Sequence, residues 1–188
     1  MTIPNVVSGI RILLVPLFLW LLLARDDAAA AGLLFLGIGA TDWVDGYLAR
    51  RLDQVSAIGK ILDPTADRLA VGAAVIGGWI AGVLPWPVAL AIVVREVIVT
   101  TVAAILAIRL KTALEVRWVG KVGTFVLYGA IAAFYVHAGW DHDAVLWLAW
   151  AGAIPALVFY YVSAVMYIGD ARRLIAAGPP VSSGPSST

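Results

Sequence analysis

Residues 41–68 read TDWVDGYLARRLDQVSAIGKILDPTADR. The stretch joins two apolar runs, 29–48 and 60–83, and sets Asp42, Asp45, Asp63 and Asp67 inside or beside them. A carboxylate deep in a membrane is unfavourable by roughly 3 kcal/mol even on the lenient insertion scale. Four close together also repel one another. A cation, arginines or a functional cavity must offset that cost.

The rest of the chain makes the membrane setting explicit. Its 188 residues are 62% hydrophobic with mean hydropathy +0.95, well above the roughly half-apolar composition of soluble domains. That length accommodates about six spans of about 20 residues. The apolar runs fall at 10–24, 29–48, 60–83, 87–108, 119–138 and 144–168. They are long and continuous, without the strict alternation of barrel strands, so an all-α integral membrane protein with six transmembrane helices is expected. The opening, MTIPNVVSGIR, has no basic residue before Arg11 and reads as the start of a retained first span. Residues 1–170 form the expected membrane domain. Residues 171–188, ending in AAGPPVSSGPSST, read as a cytoplasmic, largely disordered tail. With no cysteine, disulfides and thiolate metal sites are excluded. A net charge of only +1 argues against nucleic-acid binding.

Basic residues set the expected orientation. Arg50 and Arg51 lie in the second break between runs, Arg109, Lys111 and Arg117 in the fourth, and Arg172 and Arg173 after the last run. The first break holds only Arg25 beside two aspartates, and the third and fifth hold neither Lys nor Arg. Both termini and the even breaks are therefore expected on the cytoplasmic side of the cell membrane, with the aspartates at the cytoplasmic ends of the second and third spans.

Asp42, Asp45 and Ala49 share one helix face, within about 60° at roughly 100° per residue. Gly59, Asp63 and Asp67 share a face of the next helix. Two helices joined by a short loop can turn these faces together and place four carboxylates around a small volume open to water. An all-oxygen site suits Mg²⁺ or Mn²⁺. Two such ions about 4 Å apart offset the carboxylate repulsion and can clamp a phosphoryl group. Gly46, Ala49 and Gly59 leave room for a bulky ligand, although small residues also serve close helix packing. Asp53 and Arg51 read as paired surface charge at the membrane border.

The string D-x2-D-G-x2-A-R-x8-G-x3-D-x3-D, from Asp42 through Gly46, Ala49, Arg50 and Gly59 to Asp67, resembles the signature of the CDP-alcohol phosphatidyltransferases at every fixed position. The six-span plan and the opening IPNVVSGIRILLVP extend the resemblance over most of the chain. It implies transfer of a phosphatidyl group from CDP-diacylglycerol to an alcohol, with release of CMP. It further implies that Asp42, Asp45 and Asp63 bind two divalent metals and that Asp67 is a further ligand or the catalytic base. Asp42, Gly46, Ala49, Arg50 and Gly59 would surround the CDP moiety, with Arg50 at the diphosphate, in an enzyme that is commonly a homodimer.

The acceptor side is less sharply written. Arg95, Glu96, Arg117 and Lys121 are its candidate groups, with Arg95, Arg117 and Lys121 as the acceptor-binding set. REVIVT, and GK followed by Thr124, resemble the branch that uses glycerol-3-phosphate, and a phosphomonoester calls for such cations. Two positions depart from that branch: Ala103 and Gly123 stand where basic residues are common. GKVGTF and DPTADRL resemble cardiolipin synthases, whose acceptor is phosphatidylglycerol, and an inositol-phosphate acceptor is a third reading. Glycerol-3-phosphate is the leading expectation. A cation transporter is the alternative of another class, but it favours acids spread through the membrane depth. His137 and His142 read as ordinary interfacial residues.

Overall fold

A computed structural model describes the backbone of residues 3–52, 59–110 and 118–177, and the side chains of 9–41, 68–108, 118 and 120–176. The described chain is helical throughout: α1 (Ile3–Leu23), α2 (Ala28–Leu52), α3 (Gly59–Ile80), α4 (Trp86–Leu110), α5 (Trp118–Trp140) and α6 (Asp143–Ala177). Each apolar run of the sequence coincides with one helix. The last helix continues nine residues past its run, through Arg172 and Arg173, into the segment expected as tail. Residues 178–188 lie outside the described residues.

Local chemistry fixes the helix ends. Asp27 caps α2, its Oδ1 accepting from the Ala30 N–H at 2.9 Å, and so satisfies one of the otherwise orphaned amides of the first turn. α3 ends at Gly82, whose φ of +72° suits a residue without a Cβ. The Val83 N–H reaches back to the Gly78 carbonyl and the Gly82 N–H to that of Trp79, at 2.9 and 3.1 Å, the paired bonds of a Schellman stop. Asp143 in the first turn of α6 complements the positive end of the helix dipole.

The core is a set of interlocked helix pairs. α5 packs on α6 and α2, α1 packs on α3 and α2, and α4 joins through α6. Tyr135 sits fully buried where α1, α2, α3 and α5 converge. Its hydroxyl donates to the Ala74 carbonyl on α3 at 2.5 Å, giving a buried phenol the partner it needs. Its ring lies 5.6 Å from that of Phe18; Phe18 lies 6.1 Å from Phe35, and Phe35 stacks on Tyr128 at 4.7 Å. This aromatic chain stitches α1, α2 and α5 together. The backbones of α2 and α5 close on each other at Gly32, where a Cβ would stand 2.5 Å from Tyr135 Cβ and 3.0 Å from the Ala132 carbonyl oxygen.

The outer surface is apolar. Leu13, Ile108, Trp118 and Trp147 are each more than 70% exposed, and so many exposed large apolar side chains among the described residues suit a lipid environment. Three described helical stretches are long and apolar enough to cross a membrane: Trp86–Ile108, Gly120–Trp140 and Asp143–Ala176. The described apolar parts of the first three helices, Gly9–Leu23, Ala28–Thr41 and Arg68–Ile80, are shorter. In α2 and α3 the remaining turns carry the aspartates.

Gly32→Val is expected to destabilise the bundle by about 1–3 kcal/mol, since an added side chain must push Tyr135 and the α5 backbone away. Thermal unfolding in detergent checks this; an unchanged midpoint would show that α2 and α5 are not in close contact there.

Candidate active site

The aspartates belong to the last turns of α2 and the first turns of α3, which follow each other in the chain. The α2 backbone is helical through Asp42, Asp45, Gly46, Ala49 and Arg50 to Leu52, and α3 begins at Gly59 and carries Asp63 and Asp67 in its first turns. Helical spacing therefore groups Asp42 with Asp45 and Asp63 with Asp67 on one face each. On α2 that face continues the buried positions Ala31, Phe35 and Ile38; on α3 it continues Ala70 and Ala74. The side chains of these site residues, and all of Arg117, lie outside the described residues.

Lys121 comes to the same end of the bundle. α2 and α5 run antiparallel in constant register, with Ala29 against Gly139, Gly32 against Tyr135 and Gly39 against Tyr128. Seven residues further along each helix, Gly46 falls level with Lys121. Lys121 also repeats the seven-residue spacing of Tyr128 and Tyr135, so it lies on the stripe of α5 that faces α2. It is exposed.

Arg95 is built into a polar knot between α4 and α6. Its Nη1 donates to Glu96 Oε1 at 2.7 Å, and the same carboxylate oxygen accepts from the Tyr160 hydroxyl. The guanidinium stacks over the Tyr160 ring, 3.8 Å from its centroid, in a cation–π contact that gains strength when desolvated. The Arg95 side chain is only 11% exposed against 32% for Glu96, and its buried Nε has no hydrogen-bond partner among the described residues. A carboxylate thus neutralises the charge of Arg95, yet one donor remains unspent.

Tyr160 links this knot to α5. A Cβ on Gly123 would lie 3.1 Å from Phe159 Cβ and 3.3 Å from the Tyr160 backbone nitrogen. Gly123 is thus a close-packing point between α5 and α6, with no room for a basic side chain. Gly123, two residues after Lys121, and Arg95 both lie against the Phe159–Tyr160 stretch of α6. Sequence reasoning missed Tyr160. The signal was there in FYY, two phenols inside an apolar helix, each needing a polar partner; Tyr161 finds its own in the Ala91 carbonyl at 2.8 Å.

Among the described residues no group of three or more His, Cys, Asp or Glu could hold a metal. The side chains of Asp42, Asp45, Asp63 and Asp67 lie outside those residues; their carboxylates are of the type that suits a hard divalent cation.

Comparison with known proteins gives this arrangement a context. The profile of the CDP-alcohol phosphatidyltransferase family matches residues 1–168. The chain is 34% identical over 184 residues to a cardiolipin synthase (CMP-forming) of Streptomyces coelicolor, covering 94% of this chain and 86% of that one. It is 34% identical over 149 residues to a CDP-diacylglycerol–glycerol-3-phosphate 3-phosphatidyltransferase of Bacillus subtilis, covering 72% and 77%. To the Escherichia coli protein of that same name it is 29% identical over 185 residues, 93% of each.

Glu96→Ala is expected to destabilise the protein, because it leaves the Arg95 charge buried without its carboxylate. Arg95→Met combined with Glu96→Ala should recover part of the loss, with a coupling of about 0.5–3 kcal/mol in a double-mutant cycle read by thermal unfolding. Simple additivity would contradict the pairing.

Proposed function

The chain belongs to the CDP-alcohol phosphatidyltransferase family, and from that premise we infer that it transfers a phosphatidyl group from CDP-diacylglycerol to a glycerol-based alcohol in phospholipid biosynthesis, releasing CMP. The observation that carries this reading is the full family motif of the sequence, Asp42 to Asp67, whose fixed positions fall on the last turns of α2 and the first turns of α3. The acceptor oxygen bonds to the phosphorus that bears diacylglycerol, the bond from that phosphorus to the CMP oxygen breaks, and the hydroxyl proton goes to a base. Asp67 is the proposed base or a further metal ligand. Asp42, Asp45 and Asp63, with Asp67, would hold two Mg²⁺ or Mn²⁺ ions, which when bound neutralise charge on the diphosphate. Gly46, Ala49 and Gly59 leave space for the cytidine, and Arg50 meets the diphosphate. Such a reaction depends mostly on positioning and charge stabilisation.

The same reading places six spans across the cell membrane with both termini in the cytoplasm, following the basic residues. The donor then enters from the bilayer and CMP leaves to cytoplasmic water. Homodimerisation is part of the proposal.

Two acceptors fit. Glycerol-3-phosphate is supported by the basic set Arg95, Arg117 and Lys121, since a phosphomonoester carries nearly two charges and gains from charge-assisted hydrogen bonds. It is also the acceptor in the names of the B. subtilis and E. coli relatives. Phosphatidylglycerol is supported by a specific observation: Glu96 already neutralises Arg95, and Gly123 is packed against α6 instead of carrying a second cation. The site is then suited to a monoanionic diester, in keeping with the S. coelicolor relative. The packing around Arg95 and Gly123 moves the balance toward phosphatidylglycerol.

The test is CMP release by purified protein given CDP-diacylglycerol and Mg²⁺ with each acceptor in turn. Faster release is expected with phosphatidylglycerol than with glycerol-3-phosphate, and none with inositol-phosphate. Lys121→Ala should raise KM for the acceptor more than for CDP-diacylglycerol, as loss of a binding contact does. Preference for glycerol-3-phosphate would restore the basic set as a phosphomonoester receptor; no release with any acceptor would defeat the transferase reading.

A further inference from the structure

Arg11 is an arginine in the middle of an apolar helix, and it is only 3% exposed. It belongs to the buried stripe of α1, seven and eleven residues before Phe18 and Leu22, both 2% exposed. A charge turned to the inside of a bundle instead of outward along a flexible stem is costly, and such groups mark function.

Two independent registers give its level. Phe18 lies against Phe35, and α1 and α2 are antiparallel neighbours joined by a short turn. Seven residues back from Phe18 is Arg11; seven residues on from Phe35 is Asp42. Leu19 and Leu22 pack on Gly77, and α1 runs parallel to α3. Moving back by the same number of residues from each pair sets Arg11 level with positions between Ala66 and Leu69, which bracket Asp67. Asp42 and Asp67 are the two aspartates that lie furthest along α2 and α3 toward the bundle core. Both registers thus set Arg11 level with the backbone positions of Asp42 and Asp67.

We propose that Arg11 is the fixed counter-charge of the aspartate site, neutralising Asp42 and Asp67 at its closed end and so holding the hairpin of α2 and α3 together when no metal is bound. The proposal rests on the inferred aspartate site, but it concerns charge balance and not the transfer reaction. A permanent guanidinium suits this place because it cannot be deprotonated and its planar fork can bridge two carboxylates. Arg11 is then a positioning residue that acts through the aspartates.

Charge swaps followed by thermal unfolding of the purified full chain in detergent, with EDTA and with excess Mg²⁺, test this without reference to activity. Arg11→Met should lower the unfolding midpoint by several degrees in EDTA, and Mg²⁺ should recover much of the loss by replacing the missing cation. Adding Asp67→Asn to Arg11→Met should also recover stability, because it removes the charge left unbalanced. Arg11→Lys keeps the charge but not the fork and should retain a clear part of the stability that Arg11→Met loses, so it remains informative if Arg11→Met does not fold. Equal losses for Arg11→Met in EDTA and Mg²⁺, with no recovery from Asp67→Asn, would reduce Arg11 to packing and overturn the proposal. Arg11→Lys behaving as badly as Arg11→Met would overturn it too. If the midpoints follow the charge pattern and no acceptor is converted, the transferase reading fails while the counter-charge stands.

Discussion

Everything in this bundle answers to the cost of ionised groups inside an apolar assembly. The chain carries four aspartates on the last turns of α2 and the first turns of α3, and an ionised group inside such an assembly demands a compensating charge. In the proposed function a divalent cation and Arg50 answer that demand, and Arg11 is the proposed fixed counter-charge. Arg95 faces the same constraint, and there the compensating groups are a carboxylate 2.7 Å away and an aromatic face beneath the guanidinium. Among the described residues, Arg95, Glu96 and Tyr160 form such a cluster, and removing one member would leave the others uncompensated.

Rigid packing makes such precision possible. Tyr135 binds α5 to α3 through the Ala74 carbonyl, and the Phe18–Phe35–Tyr128 chain fixes the register of α1 and α5 on α2. Gly32 lets α2 and α5 approach until backbone meets side chain. Because helices are stiff rods, a register fixed at these contacts is carried down to the aspartate end. The core thus determines which residues share a level there: Asp42 with Arg11, and Gly46 with Lys121.

The helices were legible because their signal is local. Long apolar runs, an Asp at the head of α2 and a Gly at the foot of α3 are read without knowing any neighbour. The aspartate motif was legible for the same reason, since its spacing fixes faces on two successive helices. What stayed hidden depends on tertiary contact. Nothing in the residues around Glu96 says that Tyr160, on another helix, will share its carboxylate oxygen. Gly123 looked like a missing cation until α6 was seen to pack against it. Arg11 could not be placed until the registers of two helix pairs were known. The length of α6 was underread because hydropathy marks where lipid ends, whereas the helix itself continues through Asp170 and Arg173 to Ala177, just before the Gly-Pro-Pro of the sequence.

The central claim is that the facing ends of α2 and α3 form one cation site. Mn²⁺ binding followed by electron paramagnetic resonance on purified protein, in the presence of CDP, tests it most directly. Two magnetically coupled ions per chain are expected, with saturable binding lost in Asp63→Asn. Absence of saturable Mn²⁺ binding, or binding that Asp63→Asn leaves intact, would contradict it.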